Sequence, residues 1–136
     1  MVFLFISRKM RLFRHLKNTG GLMSDIVTLK ENREFRRAYS KGKSYVSPDL
    51  VTYVIKNKNN NLRIGITTGK KIGKAVERNR SRRIIRAAYF NICDHIRSGY
   101  DIVFVARTKT PYRKSTDILI SMTKHLTEAG ILCEDK

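Results

Sequence analysis

Acidic residues are scarce in this sequence: Asp and Glu number 11 against 29 Lys and Arg, for a formal charge of +18 and a pI of about 10.4. That excess is far above what solubility needs. It carries a self-repulsion that a bound polyanion relieves, with nucleic acid the first candidate and an anionic membrane surface the second. Cysteine is nearly absent too. Cys93 and Cys133 stand far apart, and no His or Cys pair has metal-ligand spacing, which excludes a disulfide scaffold and leaves free thiols in a reducing cytoplasm as the expectation. No apolar run approaches the roughly 18 residues of a membrane span. The short opening run Val2 to Ile6 precedes the basic cluster, the reverse of the order in a signal peptide. Catalytic groupings are equally thin. His15, His95 and His125 are widely separated, and Asp25, Glu31, Glu34, Asp49, Glu77, Asp94, Asp101 and Asp117 include no close pair of the two-metal nuclease kind. Self-contained catalysis is disfavoured.

What is present is enough apolar material for one core. The chain has 136 residues and 41% hydrophobic content, with no composition break that marks a second domain. Residues 1–24 read as a basic N-terminal extension: residues 1–22 hold five basic residues and no acid, followed by convincing domain signals. An upstream start, with Met10 or Met23 as initiator, is preferred over a transit segment or an RNA-binding arm, and the extension is expected to be disordered or a start-site artefact. Residues 25–130 are expected to form the domain and 131–136 a fraying tail.

The order of elements follows from periodicity and punctuation. Thr28, with Glu31 three residues on, predicts a capping box opening a helix that runs to about Lys41, where Gly42 stops it. A short strand at Lys43–Val46 is possible, then a strand at Leu50–Ile55. An asparagine-rich turn leads to Leu62–Thr68, with Leu62, Ile64 and Ile66 on the core face and Arg63, Gly65 and Thr67 on the open one. These two strands look like an antiparallel hairpin. A long helix is predicted over Ala75–Arg97, its stripe Ile85, Ala88, Tyr89, Ile92 and Ile96. Tyr100–Ala106 is a near-continuous apolar run suited to an interior strand. Ser115 can cap a last helix with Ile118, Leu119, Met122, Leu126 and Ala129 buried and Gly130 as its stop. The order αβββαβα is that of a small two-layer α+β sandwich, with the helices on one main face of the sheet.

Residues 63–86, RIGITTGKKIGKAVERNRSRRIIR, carry nine Lys and Arg against one acid, Glu77. Like charges at 78/82 and 82/86 each cost a few tenths of a kcal/mol, and cations at a helix N-terminus oppose the dipole. A plain solvated face rarely accepts both penalties. Guanidinium forks at Arg78, Arg80, Arg82, Arg83 and Arg86 match phosphate oxygens bidentately, and Asn79 and Ser81 add hydrogen bonds. Lys70, Lys71 and Lys74 extend the patch through a glycine-bearing turn that lacks the GK[ST] ending of a P-loop. Phe35 and Tyr39 have two readings: core packing of an amphipathic helix, or a partly open aromatic edge on which unpaired bases stack, beside Arg36 and Arg37. Tyr53, Arg63 and Thr67 on the sheet are candidates for the same groove.

The stretch RIGITTGKKIGKAVERNRSRRIIRAAY closely resembles the signature of the bacterial ribonuclease P protein component. LKENREFRRAYSKGKS is similar to that family's first helix and YDIVFVAR to its late strand. The resemblance covers about residues 28–129. It implies a fold like the second domain of ribosomal protein S5, with a left-handed βαβ crossover, and an accessory subunit of an RNA-based endoribonuclease in the cytoplasm. The partners implied are the catalytic RNA, bound one to one, and precursor tRNA, whose 5′ leader is removed with Mg2+ bound mainly by the RNA. Carried over position by position, Lys70, Lys71, Lys74, Arg78, Asn79, Arg80, Arg82, Arg83 and Arg86 would contact the catalytic RNA. Phe35 and Tyr39 would line the leader groove, with Arg36, Tyr53, Arg63 and Thr67 as neighbours. Tyr39 departs from the usual phenylalanine but keeps a stacking ring. The alternative is a structural RNA-binding protein of ribosomal type with no leader groove.

Overall fold

The computed structural model describes residues 27–133 except residue 59, so the N-terminal extension lies outside the described residues. The described chain enters through a two-residue strand, β1 (Val27–Thr28), ahead of helix α1 (Asn32–Lys41). The expected Thr28–Glu31 capping box does not form. Thr28 pairs with Ile64, the Leu29 N–H donates to the Ile64 carbonyl at 2.7 Å, and Glu31 sits at the cap position without a side-chain capping hydrogen bond. The extended backbone carries Leu29 into the core. Burying a leucine is worth about 2 kcal/mol, against about 1 kcal/mol for one cap.

The remaining elements are β2 (Lys43–Ser47), β3 (Leu50–Lys56), β4 (Arg63–Thr67), α2 (Ala75–Phe90), β5 (Tyr100–Ala106) and α3 (Ser115–Glu128). They form one five-stranded sheet in the order β1-β4-β5-β3-β2. β5 runs parallel to β4 and antiparallel to β3, while β2 and β3 make an antiparallel hairpin. The hairpin expected between β3 and β4 is therefore absent, because β5 lies between them. Ile102, Val103 and Phe104 are all fully buried, and consecutive strand residues face opposite sides, so only an interior position covers this run. The β3–β4 connection straddles the entrance to β5. The Asn57 N–H donates to the Gly99 carbonyl at 2.8 Å and the Gly99 N–H to the Asn61 carbonyl at 3.0 Å. Gly99 takes φ +93°, which a residue with a side chain adopts only under strain.

Each face of the sheet has its own core. Leu50, Ile64, Ile102 and Phe104 lie under α2 and α3, against Ile85, Tyr89, Ile118, Met122 and Leu126. This is the main layer pair of the α+β sandwich, and α2 supplies the crossover between the parallel neighbours β4 and β5. On the opposite face α1 brings Leu29 and Ala38 onto Val103, with Phe35, Tyr53, Ile55 and Val105 partly buried around them.

Helix α2 stops at Phe90, short of the expected Arg97. A helix of residues 75–97 would be about 34 Å long, against about 23 Å for a seven-residue strand, so it would overrun the sheet. Instead the Asn91 side-chain amide donates to the Ala87 carbonyl at 2.9 Å, and a 3-10 turn at Cys93–His95 folds Ile92 and Ile96 back into the core. The C-terminal segment holds that turn. The Arg97 N–H donates to the Ile131 carbonyl and the Cys133 N–H to the His95 carbonyl, while Ile131 is 1% exposed. Residues 131–133 thus belong to the fold rather than to a fraying tail. At the start of α3, Lys114 rather than Ser115 takes the cap position, its N–H donating to the Asp117 carboxylate at 3.1 Å. Ile118, Leu119, Met122 and Leu126 are buried on α3 as expected, Ala129 is half-buried just past its end, and Thr123 and His125 are buried in addition. No disulfide joins Cys93 and Cys133.

Candidate nucleic-acid interface

The basic face is set by what α2 buries. Ser81, Ile85, Ala88 and Tyr89 turn to the sheet, and the Ser81 hydroxyl donates back to the Glu77 carbonyl at 2.9 Å. Asn79, Arg80, Arg82, Arg83 and Arg86 are left at the surface. Before the helix, Ile72 anchors a 3-10 turn in the core, and Lys70, Lys71 and Lys74 project from it into solvent. Among the described residues no carboxylate pairs with any of these cations. Ion pairs among the described residues include Arg33 with Glu31, Arg63 with Asp101 and Glu34, and Arg113 with Asp49. Arg78 is half-buried, and its Nε is enclosed without a hydrogen-bond partner. The charge on this face is uncompensated and fixed on regular backbone, the condition for neutralising crowded phosphates.

The second surface is a cleft beside α1. The Phe35 ring lies against Gly65 so closely that a Cβ there would collide with it, which is why this strand position has no side chain. Tyr39 is 39% exposed, and its hydroxyl is hydrogen-bonded to Thr67 Oγ1 at 2.6 Å. Its ring meets Tyr53 edge-on, with centroids 5.0 Å apart. The two readings of these aromatics both hold in part: Phe35 is half packed into the core, and Tyr39 stands at a polar rim. A cleft of about 650 Å³ opens here, lined by Phe35, Arg36, Tyr39, Ile66, Thr67 and Arg82.

Arg82 is the residue whose place in this cleft sequence reasoning missed. It belongs to α2, on the other face of the sheet, and reaches the cleft past β4, whose pairing with β1 involves only Arg63 and Ile64. The available signal was its position one turn beyond Arg78, on the side of the helix that overhangs the sheet edge. Arg63 goes the other way. It lies on the opposite flank of α1, 19% exposed, with Nε and one terminal nitrogen donating to Asp101 at 2.9 and 2.7 Å and Glu34 at 3.3 Å. The Asp101 hydrogen bonds push its pKa further up. The structure thus brings Phe35, Arg36, Tyr39 and Thr67 together with Tyr53 behind them, and separates Arg63 from the group.

Residues 23–130 match the family model described as Ribonuclease P. The chain belongs to the ribonuclease P protein family. The ribonuclease P protein component of Clostridium botulinum (strain Langeland) is 41% identical over 104 residues, 76% of this chain and 94% of that one. The corresponding protein of Clostridioides difficile (strain 630) is 47% identical over 91 residues, covering 66% and 80%. A solved structure of the Staphylococcus aureus RNase P protein superposes with a TM-score of 0.68 at 31% identity, over 81% of this chain and all of that one. In this ribonuclease P family member no group of three or more His, Cys, Asp or Glu among the described residues is placed to hold a metal ion. Nor, among those residues, is any helix long and apolar enough to cross a membrane.

Proposed function

We propose that this chain is the protein subunit of a cytoplasmic ribonucleoprotein in which a catalytic RNA removes the 5′ leader of precursor tRNA. The observation that carries the reading is the adjacency of the two surfaces: the uncompensated guanidiniums of α2 run directly, through Arg82, into the aromatic cleft beside α1. Lys70, Lys71, Lys74, Arg78, Asn79, Arg80, Arg83 and Arg86 contact phosphates of the catalytic RNA. Tyr39 and the open edge of Phe35 receive unpaired leader bases, while Arg36 and Arg82 hold the leader backbone on either side. Tyr53 braces Tyr39, and Thr67 fixes its hydroxyl. Arg63 contributes by shaping the floor under α1, since its charge is already matched.

The division of labour follows from chemistry. The protein neutralises crowded phosphates and retains the leader, so precursor binds more tightly than product. Magnesium supplies Lewis-acid and nucleophile activation when bound by the RNA. No protein side chain is assigned a proton transfer. The test is affinity of the reconstituted RNA–protein complex for precursor and mature tRNA, together with cleavage by each component alone. Preference for the precursor that Phe35→Ala abolishes supports the reading. Equal affinities would instead favour a structural RNA-binding role, and cleavage by RNA-free protein would overturn the assignment of chemistry to the RNA.

A further inference from the structure

Helix α1 has a cleft on each flank. The second, of about 640 Å³, lies over the starts of β4 and β5 and is lined by Glu34, Arg36, Arg37, Lys41, Arg63 and Asp101. Its floor offers no free cation: Arg63 lies between two carboxylates, held by Asp101 and 3.3 Å from Glu34. The free cations are on its rim. Arg36, Arg37 and Lys41 are at the surface, and among the described residues none has a carboxylate partner. Arg37 is steadied by a long hydrogen bond of 3.5 Å to the Lys56 carbonyl, which leaves other guanidinium donors free to turn outward. Arg36 lines both clefts. The ridge between them is one helix, about 10–12 Å across with its side chains, a span that a short run of extended nucleotides covers.

We propose that this second cleft is a further subsite for single-stranded RNA, taking the phosphates of leader nucleotides that lie 5′ of those held against Phe35 and Tyr39. The path crosses α1 at Arg36 and ends on Arg37 and Lys41. It rests on the reading of the first cleft as the leader groove. Selectivity here is for backbone charge and not for base identity. The second cleft has no aromatic side chain in its lining, and its unpaired charges are the rim cations Arg36, Arg37 and Lys41.

The test uses the complex reconstituted with the catalytic RNA and precursor tRNAs whose leaders are about 4 and about 16 nucleotides long, the range of single-strand site sizes. The wild-type complex binds the long-leader substrate more tightly. Arg37→Ala combined with Lys41→Ala removes that advantage, about tenfold, and flattens the salt dependence of long-leader binding by roughly 0.7 for each phosphate left unneutralised, while short-leader binding stays unchanged. Arg37→Lys with Lys41→Arg retains the advantage. Equal weakening on both leaders, or no weakening on the long one, overturns the proposal. So does a wild-type complex indifferent to leader length. Phe35→Ala weakens both substrates; indifference of the short leader to it would overturn the first-cleft reading separately.

Discussion

Arg63 and Asp101 are register partners on the parallel neighbours β4 and β5, and their side chains close on each other through two hydrogen bonds of 2.9 and 2.7 Å. Asp101 is 3% exposed and also accepts from the Asn57 side-chain amide at 2.8 Å, so one carboxylate ties the β3–β4 connection to the central strand. Replacing it weakens both hydrogen bonds and leaves Glu34, 3.3 Å away, as the carboxylate facing the guanidinium. Asp101→Asn is expected to lower unfolding free energy by about 2 kcal/mol, read from urea denaturation. A loss under about 0.5 kcal/mol would show the pair to be marginal, as exposed pairs are.

Gly65 is where the sheet makes room for Phe35. Gly65→Ala forces the ring out of its seat, at a cost of about 1–3 kcal/mol for an overpacked site. Displacing the ring also disturbs the cleft, so leader affinity should fall together with the melting temperature. A variant that melts early but binds the leader normally would separate the ring's packing role from its proposed stacking role.

Tyr39 allows ring and hydroxyl to be tested apart. Tyr39→Phe loses only the bond to Thr67, a change of about 1 kcal/mol in stability, and keeps the stacking surface. Tyr39→Ala removes the ring and should weaken precursor binding by about 1–3 kcal/mol per stacked base. Identical behaviour of the two variants in a precursor-binding titration would place the effect in the hydroxyl.

The basic face makes a prediction about salt. Arg80→Ala with Arg83→Ala should weaken RNA binding and reduce its salt slope by roughly 0.7–0.9 for each phosphate the variant no longer neutralises. Stability should hold or rise slightly, because the exposed like-charge pairs 80/83 and 83/86 along the helix are relieved. An unchanged slope in binding measured across a salt series would count against this face.

His125 gives a pH dependence. It is 1% exposed, hydrogen-bonded through Nε2 to the Ser47 hydroxyl at 2.6 Å and through Nδ1 to that of Thr52 at 2.8 Å. Burial pushes its pKa down, with Glu128 and Asp49 opposing that shift and Lys124 adding to it. The unfolded chain, whose imidazole titrates near about 6.5, therefore binds a proton that the folded chain resists. Stability is complete above that value and falls as pH drops from it toward the folded pKa. The melting temperature of His125→Gln should vary less between about pH 7 and pH 5 than that of the wild type.

Much of the architecture is readable from residue order. The buried stripes of α2 and α3, the C-terminal edge of α1, and the interior character of Tyr100–Ala106 all follow from spacing, because each depends on local signals. Partner choice does not. Hydropathy says that an interior strand needs two neighbours without saying which, and so β3 and β4 look adjacent in the sequence when β5 separates them. The same limit applies to the site. The residue types of the basic face are plain, but Arg63 is matched by a carboxylate far along the chain, and Arg82 joins the cleft only because the sheet edge there is open.

The central position of β5 has a consequence for biogenesis. A ribosome completes α2, with its row of guanidiniums, before it has made the strand that pins β4 to β3. The nascent chain carries its polyanion-attracting helix ahead of the scaffold that orients it, and the sheet closes only after residue 106 has emerged. Chains stalled before residue 100 should hold RNA through charge alone, with no preference between precursor and mature tRNA.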